Sequence, residues 1–251
     1  MSTRLAHGEA LATLAAMDDA SADVMLTDPP FSSGGRRENA RSLRKSMVRS
    51  MVDAEWIAGD GMSTSGFLWT MREVGWQARR VLRPGGHVLM FIDWRMCELL
   101  ASALESADLR RHPTLVWDKT YFGMGAIFRN QHEFIVHMSV GTPSPPQRQD
   151  VGNVLSFKPV TVADRDHPTE KPVDLLETLL SVVCPPGGHV IDPFMGVGTV
   201  GSAAVRLGLS FTGCELSEGF YRQAYSRLVN TSEAAAEANA SACAGSQQRL
   251  L

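Results

Sequence analysis

The sequence predicts an α/β domain, a mostly parallel sheet with helices on both faces. Three observations carry that prediction. Short β-branched runs alternate along the chain with longer stretches of helical period, the pattern of strand–helix–strand units. Two of those runs end in Asp-Pro turns, at Asp28-Pro29-Pro30 and at Asp192-Pro193, and the second opens a helix. The length, 251 residues with 44% hydrophobic and 20% charged, suits one α/β domain with a full core.

Ala22 to Thr27 reads as a buried strand ending at Asp28. Phe67, Met71, Val74, Ala78 and Val81 recur at helical spacing, and Arg83-Pro84-Gly85-Gly86 stops that helix before a strand over His87 to Ile92. A helix over Arg95 to Ala107 follows, then strands at Thr114 to Trp117 and Glu133 to Met138. Pro172 suits the first position of a helix that carries Leu175, Leu176, Leu179 and Val183. Gly187-Gly188 opens a strand to Ile191, followed by a glycine loop, a helix from Thr199, a stop at Gly208 and a strand to Cys214. Phe220, Tyr221, Ala224 and Leu228 share one face of a last amphipathic helix.

Two segments break the alternation. Ser32 to Ser65 holds two glycine clusters and begins strongly basic; Thr142 to Asp166 is rich in Pro and polar residues, with short strands expected within Val151 to Val162. Loops of that length in a compact domain are functional or disordered. Seven of the last 21 residues are alanine without an apolar stripe, so residues 231–251 read as a disordered, dispensable tail.

The composition excludes a disordered acidic chain, a collagen-like repeat and a disulfide-stapled miniprotein. The longest apolar run, Val88 to Ile92, is too short to span a bilayer, and the first residues lack a signal peptide's apolar stretch. A cytoplasmic chain with no membrane partner is therefore expected. Cys97, Cys184, Cys214 and Cys243 are widely spaced and read as small buried apolar residues. His132 and His137 flank Glu133 in a near match to a zinc-protease helix, but they are five apart and lie in a β-rich stretch. On a strand that separation points the rings to opposite faces, so no metal site is expected.

Two constellations carry chemistry. Asp192-Pro193-Phe194-Met195-Gly196-Val197-Gly198-Thr199 follows a strand and opens a helix. Glycines there let backbone N–H groups approach a ligand, and the helix N-terminus favours a negative group. Glu215 ends the next strand, where a carboxylate can accept from both ribose hydroxyls. The three-glycine dinucleotide pattern is missing, so a nucleoside with a small carboxylate, such as S-adenosylmethionine, fits better than a pyrophosphate. A turn that needs glycine for geometry alone is the plainer alternative. In Asp28-Pro29-Pro30-Phe31, the prolines stiffen the turn and leave its carbonyls free. The Asp28 carboxylate and the Pro29 carbonyl can together accept both hydrogens of a planar amino group, and Phe31 offers a face for an extracted base. An ordinary Asp-initiated Pro turn is the alternative there.

Taken together, these motifs resemble the amino DNA methyltransferases, which methylate N6 of adenine or N4 of cytosine. Asp28-Pro29-Pro30-Phe31 matches the family's catalytic motif, and Asp192 to Thr199 its cofactor motif. His167-Pro168-Thr169-Glu170-Lys171-Pro172, Arg129 to Val136 and Arg80 to Gly86 resemble further blocks of the family. With the catalytic motif first, the order is that of the β group, and the resemblance runs from about residue 5 to residue 229.

The resemblance implies a Rossmann-like, S-adenosyl-L-methionine-dependent fold with a mostly parallel seven-stranded sheet in permuted order. Residues 1–230 would form the catalytic domain, with a mobile basic loop at 32–65 and target recognition within 107–166. Asp28, Pro29, Pro30 and Phe31 would form the catalytic turn. Thr27, Asp28, Thr169, Lys171, Pro172, Asp192, Phe194, Gly196, Gly198, Thr199 and Glu215 would line the cofactor site, with Lys171 near the cofactor's carboxylate. Phe31 stands where Tyr is more frequent, Glu170 where Gln is common, and Val197 and Val200 where Ser and Thr are; none of these removes a required group. The leading Asp28 points to adenine, since many cytosine-N4 enzymes carry Ser there. Cytosine N4 remains the alternative base, and a catalytically silent DNA-binding partner the alternative of another class. A cytosine-C5 enzyme would need a nucleophilic cysteine after proline, and the chain has only Cys184-Pro185 in the reverse order.

Arg36, Arg37, Arg41, Arg44, Lys45 and Arg49 follow the catalytic motif, opposed between residues 32 and 52 only by Glu38. They read as a loop that grips DNA phosphates beside the flipped base, or else as a solvated loop. The pattern leaves no room for an attached nuclease domain. It leaves open a homodimer and a separate restriction endonuclease as partners.

Overall fold

The computed structural model describes residues 2–30, 62–123, 127–160 and 170–247, with side chains as far as Ser232. Its strands are β1 (Thr3–His7), β2 (Ala22–Thr27), β3 (Leu82–Ile92), β4 (Arg110–Arg111), β5 (Leu115–Asp118), β6 (His132–Ser139), β7 (Val154–Ser156), β8 (His189–Asp192) and β9 (Ser210–Glu215). Its helices are α1 (Ala10–Ala15), α2 (Thr64–Val81), α3 (Cys97–Glu105), α4 (Val173–Val183), α5 (Thr199–Arg206) and α6 (Glu218–Gln247). One sheet runs β1-β9-β8-β2-β3-β6-β5-β7, with β4 also on β6. Every pairing is parallel except those of β6, which runs against β3, β4 and β5.

The central strands β2, β3 and β8 are buried on both faces, as a helix-covered parallel sheet requires. Val24, Leu26, Leu89, Phe91, Ile135 and Val190 face one core with α4, α5 and α6. Met25, Val88, Met90, Ile92, Val136, Met138 and Ile191 face the other with α1, α2 and α3. The side-chain period of two thus serves two cores at once. The chain departs from β2 to one side of the sheet and returns through β8 on the other, so β2 and β8 meet where the strand order reverses. Ligands of open α/β sheets bind beyond the carboxyl ends of the strands at such a point.

The sheet has nine strands among the described residues rather than the expected seven. Seven have four residues or more; β4 and β7 are short additions, and β7 falls within the Val151 to Val162 stretch. The edge strand β1 and the helix α1 have no counterpart in the sequence reading, since five residues with an exposed or half-exposed pattern give little periodicity. Arg83-Pro84-Gly85-Gly86 ends the helix but belongs to β3, its backbone satisfied by the segment that follows β6: Gly85 N–H donates to Val140 O at 2.8 Å, and Ser144 N–H to Gly85 O at 2.9 Å. Pro172 caps α4 in extended geometry (φ −60°, ψ 130°) instead of occupying its first turn. Within residues 231–251, expected as a disordered tail, the described part to Gln247 continues α6, and alanine is the best helix former. Cys97, Cys184 and Cys214 are buried as free thiols, as expected. No helix among the described residues is long and apolar enough to cross a membrane.

Helix α5, which leads out of the glycine loop, lies close on its neighbours because of Gly201. A Cβ there would stand 2.7 Å from Phe211 and 2.8 Å from Leu228. Gly201→Ala is therefore expected to overpack the α5–α6 interface and lower unfolding free energy by about 1–3 kcal/mol. Chemical denaturation measures this, and an unchanged midpoint would show that α6 yields at no cost.

Candidate active site

The turn that carries Asp28 is fixed from below. Thr27, fully buried at the end of β2, donates its hydroxyl to Asp192 Oδ1 at 2.6 Å, and Phe194 N–H donates to the same oxygen at 3.1 Å. Burial pushes the Asp192 carboxyl up to about 7, against the hydrogen bonds from Thr27 and Phe194. The hydroxyl of Thr27 and an oxygen of Asp192, both expected to line the cofactor site, are thus spent on a brace between the two central strands. Phe194 is half-buried against the core on the α1–α3 side.

The glycine loop is braced from the next strand. Glu215 Oε2 accepts from Gly196 N–H at 3.0 Å, and Oε1 from Ser217 N–H at 2.8 Å. Burial raises the Glu215 carboxyl, opposed by those backbone donors. A carboxylate has further lone-pair sites, so the bracing does not exhaust its capacity to accept. Gly196 (φ 52°) and Gly198 (φ 80°) are left-handed. A Cβ on Gly196 would meet open space, whereas one on Gly198 would stand 3.0 Å from Ala224. Thr199 Oγ1 accepts from Arg227 at 3.1 Å, and Arg227 also pairs with the buried Glu170 at 2.5 Å. This ties the Glu170-Lys171-Pro172 segment to the start of α5.

Lys171 does what the sequence reading did not anticipate. Its buried ammonium lies 2.5 Å from Asp28 Oδ2 and 3.3 Å from Glu133 Oε2, and 5.0 Å from the centre of the Phe91 ring. Glu133 Oε1 is in turn 2.5 Å from Lys119 Nζ. Burial alone would lower Lys171, but the two carboxylates outweigh it and push it up to about 12. Burial raises Asp28, and the Lys171 charge is the chief opposing influence. Asp28 Oδ1 is buried and has no hydrogen-bond partner among the described residues.

The structure thus brings together Asp28, Pro29, Pro30, Lys171, Pro172 and the glycine loop with Glu215. Phe31, Thr169 and the basic residues Arg36, Arg37, Arg41, Arg44, Lys45 and Arg49 lie outside the described residues. Glu133 and Lys119 join the site although the sequence reading gave them no role. The one available signal was a Glu inside the Arg129 to Val136 block.

As a donor set, this edge suits a nucleoside that carries positive charge. Asp28, Asp192 and Glu215 close the ends of neighbouring strands, and the space beside Gly196 is open. The DNA methylase family of N6 and N4 methyltransferases matches residues 22–226 of the chain. YubD of Escherichia coli (strain K12) is 29% identical over 227 residues, covering 90% of each protein. TTHA0409 of Thermus thermophilus, solved in complex with S-adenosyl-L-methionine, has a TM-score of 0.67 at 19% identity over 92% of this chain and 96% of that one. The PvuII DNA methyltransferase, described as cytosine-N4-specific, has a TM-score of 0.71 at 13% identity over 90% and 86%. Both structures share the Rossmann-like methyltransferase fold found here, and with the family match spanning β2 to α6 the protein belongs to the DNA methylase family.

Proposed function

We propose that the protein transfers a methyl group from S-adenosyl-L-methionine to the exocyclic N6 of adenine in DNA, with Asp28 as the acceptor that prepares the amino group. The observation that carries this reading is the buried Oδ1 of Asp28, without a hydrogen-bond partner among the described residues, beside the Pro29-Pro30 turn. A buried acceptor without a donor costs about 1–3 kcal/mol, which a substrate N–H can recover.

The cofactor, when bound, supplies an electrophilic methyl on a sulfonium. The chain's own part is positioning and electrostatics. An exocyclic amino nitrogen is a poor nucleophile because its lone pair is delocalised into the ring. Hydrogen bonds to Asp28 Oδ1 and the Pro29 carbonyl favour a more tetrahedral nitrogen, which frees the lone pair for in-line attack. Transfer would form the N–C bond as the sulfonium S–C bond breaks, and one amino hydrogen would leave as a proton to solvent water. The base must leave the stack to reach this turn; Phe31 would stack on it. The glycine loop and Glu215 would hold the nucleoside and its ribose. Cytosine N4 presents the same kind of amino group, and the fold shared with the cytosine-N4-specific PvuII enzyme keeps it as the second reading.

Labelled-methyl transfer to DNA whose only acceptor is adenine, compared with DNA whose only acceptor is cytosine, separates the two bases. Incorporation is expected with adenine alone, and Asp28→Ala is expected to abolish it in a folded protein. Turnover by Asp28→Ala within a few-fold of the parent would overturn the acceptor role. Glu215→Ala is expected to weaken cofactor binding by about 1.5–3 kcal/mol, the scale of hydrogen bonds to a charged acceptor, as read by calorimetry. An unchanged affinity would place the ribose elsewhere.

For the basic run, removing one phosphate-binding side chain should lower the slope of log affinity against log salt by about 0.9 on duplex DNA. Changing Arg41, Arg44 and Lys45 together to Ala is expected to flatten the slope by about 2–3 with cofactor affinity unchanged. A salt series on adenine-containing DNA with a non-reactive cofactor analogue measures this, and an unaltered slope would show that the run does not touch phosphates.

A further inference from the structure

Glu133 lies near the start of β6, at the carboxyl edge of the sheet, opposite Trp117 of β5. Its two oxygens are divided between two cations, Oε1 on Lys119 at 2.5 Å and Oε2 on Lys171 at 3.3 Å. Lys171 passes the chain on to Asp28 Oδ2 at 2.5 Å. Four charges therefore alternate in sign, Lys119, Glu133, Lys171 and Asp28, and their formal sum is zero.

We propose that Glu133 is a positioning residue for methyl transfer: by drawing Lys171 to its own side it holds that ammonium on Oδ2 of Asp28 and keeps Oδ1 clear for the amino group of the target base. This rests on Asp28 as the amino-group acceptor.

An ammonium is a compact charge with three rotatable donors and no preferred plane. An ammonium bonded to Asp28 can straddle both of its oxygens and so cover the acceptor that the base needs. A second carboxylate on the far side fixes its direction, and the Phe91 ring 5.0 Å away supports it from another. Lys119 plays the same part for Glu133, resting 4.9 Å from the centre of the Trp117 ring. Trp117 is held by its own N–H bond to Phe157 O at 2.9 Å. Burial works to raise Glu133, yet the two lysines bring it below the ordinary carboxylate range. The charged groups that act on Asp28 are Lys171 before α4, Glu133 on β6 and Lys119 after β5, with Asp192 at the end of β8 coupled to it.

The test compares Glu133→Gln, Lys171→Met, the double variant and Lys119→Met in the full chain. Single-turnover methylation of adenine DNA is followed across pH, and the Asp28 carboxyl carbon is titrated by NMR without cofactor. Glu133→Gln is expected to slow transfer by about tenfold or more, the scale of one misdirected transition-state hydrogen bond. It should also move the Asp28 titration, and the acid limb of the rate, to lower pH, because a like-charged neighbour is gone. Lys171→Met should move both to higher pH, since the opposing positive charge is lost. The double variant should be no slower than Lys171→Met alone, because Glu133 acts through Lys171. Parental rate and profile in Glu133→Gln, or losses that multiply in the double variant, would overturn the proposal. If Glu133→Gln does not fold, Lys119→Met decides: a shift to higher pH supports the chain of charges, and an unmoved titration refutes it. Activity in Asp28→Ala would remove the underlying acceptor role, whereas an inactive Asp28→Ala beside a fully active Glu133→Gln would remove the role of Glu133 alone.

Discussion

The site depends on the 2.6 Å hydrogen bond from Thr27 to Asp192, because it ties together the ends of β2 and β8. These two strands come from opposite parts of the chain, and each brings one half of the chemistry. Strand β2 delivers the Asp28 turn, and β8 delivers the glycine loop. Their parallel register pairs Val24 with Val190 and Met25 with Ile191. A slip of one residue would draw Thr27 away from Asp192 and send each buried side chain of the slipped strand into the wrong core. Fully buried polar groups are costly when unpaired, so the brace penalises every register but one. That the Asp28 turn precedes the glycine loop in the sequence has no bearing on the site, since the sheet brings the two strands side by side in either order.

Much of this was legible in the sequence, and for identifiable reasons. Strands β2, β3, β6, β8 and β9 were readable because burial on both faces leaves compact apolar runs between strong turn signals. Helices α2, α4 and α5 were readable because their apolar positions repeat at 3.6 and their ends carry glycine or proline. Strand β1 was not, because an edge strand needs no apolar run; its pairing is made by backbone from Thr3 to His7 against β9. The run of α6 from Thr231 to Gln247 has no apolar stripe for the sequence to show, because an alanine-rich helix needs none. In the site, Asp28, the glycines and Glu215 could be placed because each belongs to a local motif. The partners of Lys171 could not. Glu133 and Lys171 are brought together by the antiparallel turn of β6 and the cap of α4, which no local spacing records.

The arrangement of charge then explains why these residues are tolerated at all. Taking a carboxylate and an ammonium out of water costs several kcal/mol each, and a buried pair recovers this only with good geometry and further hydrogen bonds. Apolar side chains of similar volume would serve the core at least as well, so stability gives no reason for Asp28, Glu133 and Lys171 to be where they are. A reaction in which a cationic methyl donor meets a neutral amino group gives one. The pocket must carry negative charge towards the donor without letting that carboxylate take a proton of its own. Lys171 meets that second need by favouring the ionised form of Asp28. Glu133 offsets the positive charge that Lys171 introduces, and Lys119 offsets Glu133 nearer the surface, where its side chain is 27% exposed and water shares the cost. Lys171 is the driest of the four, and the charges on either side of it, Asp28 at 22% and Glu133 at 21% exposed, are each wetter than the ammonium they share. Lys171 thus opposes the effect of burial on Asp28, bonded to Oδ2 while Oδ1 has no partner among the described residues.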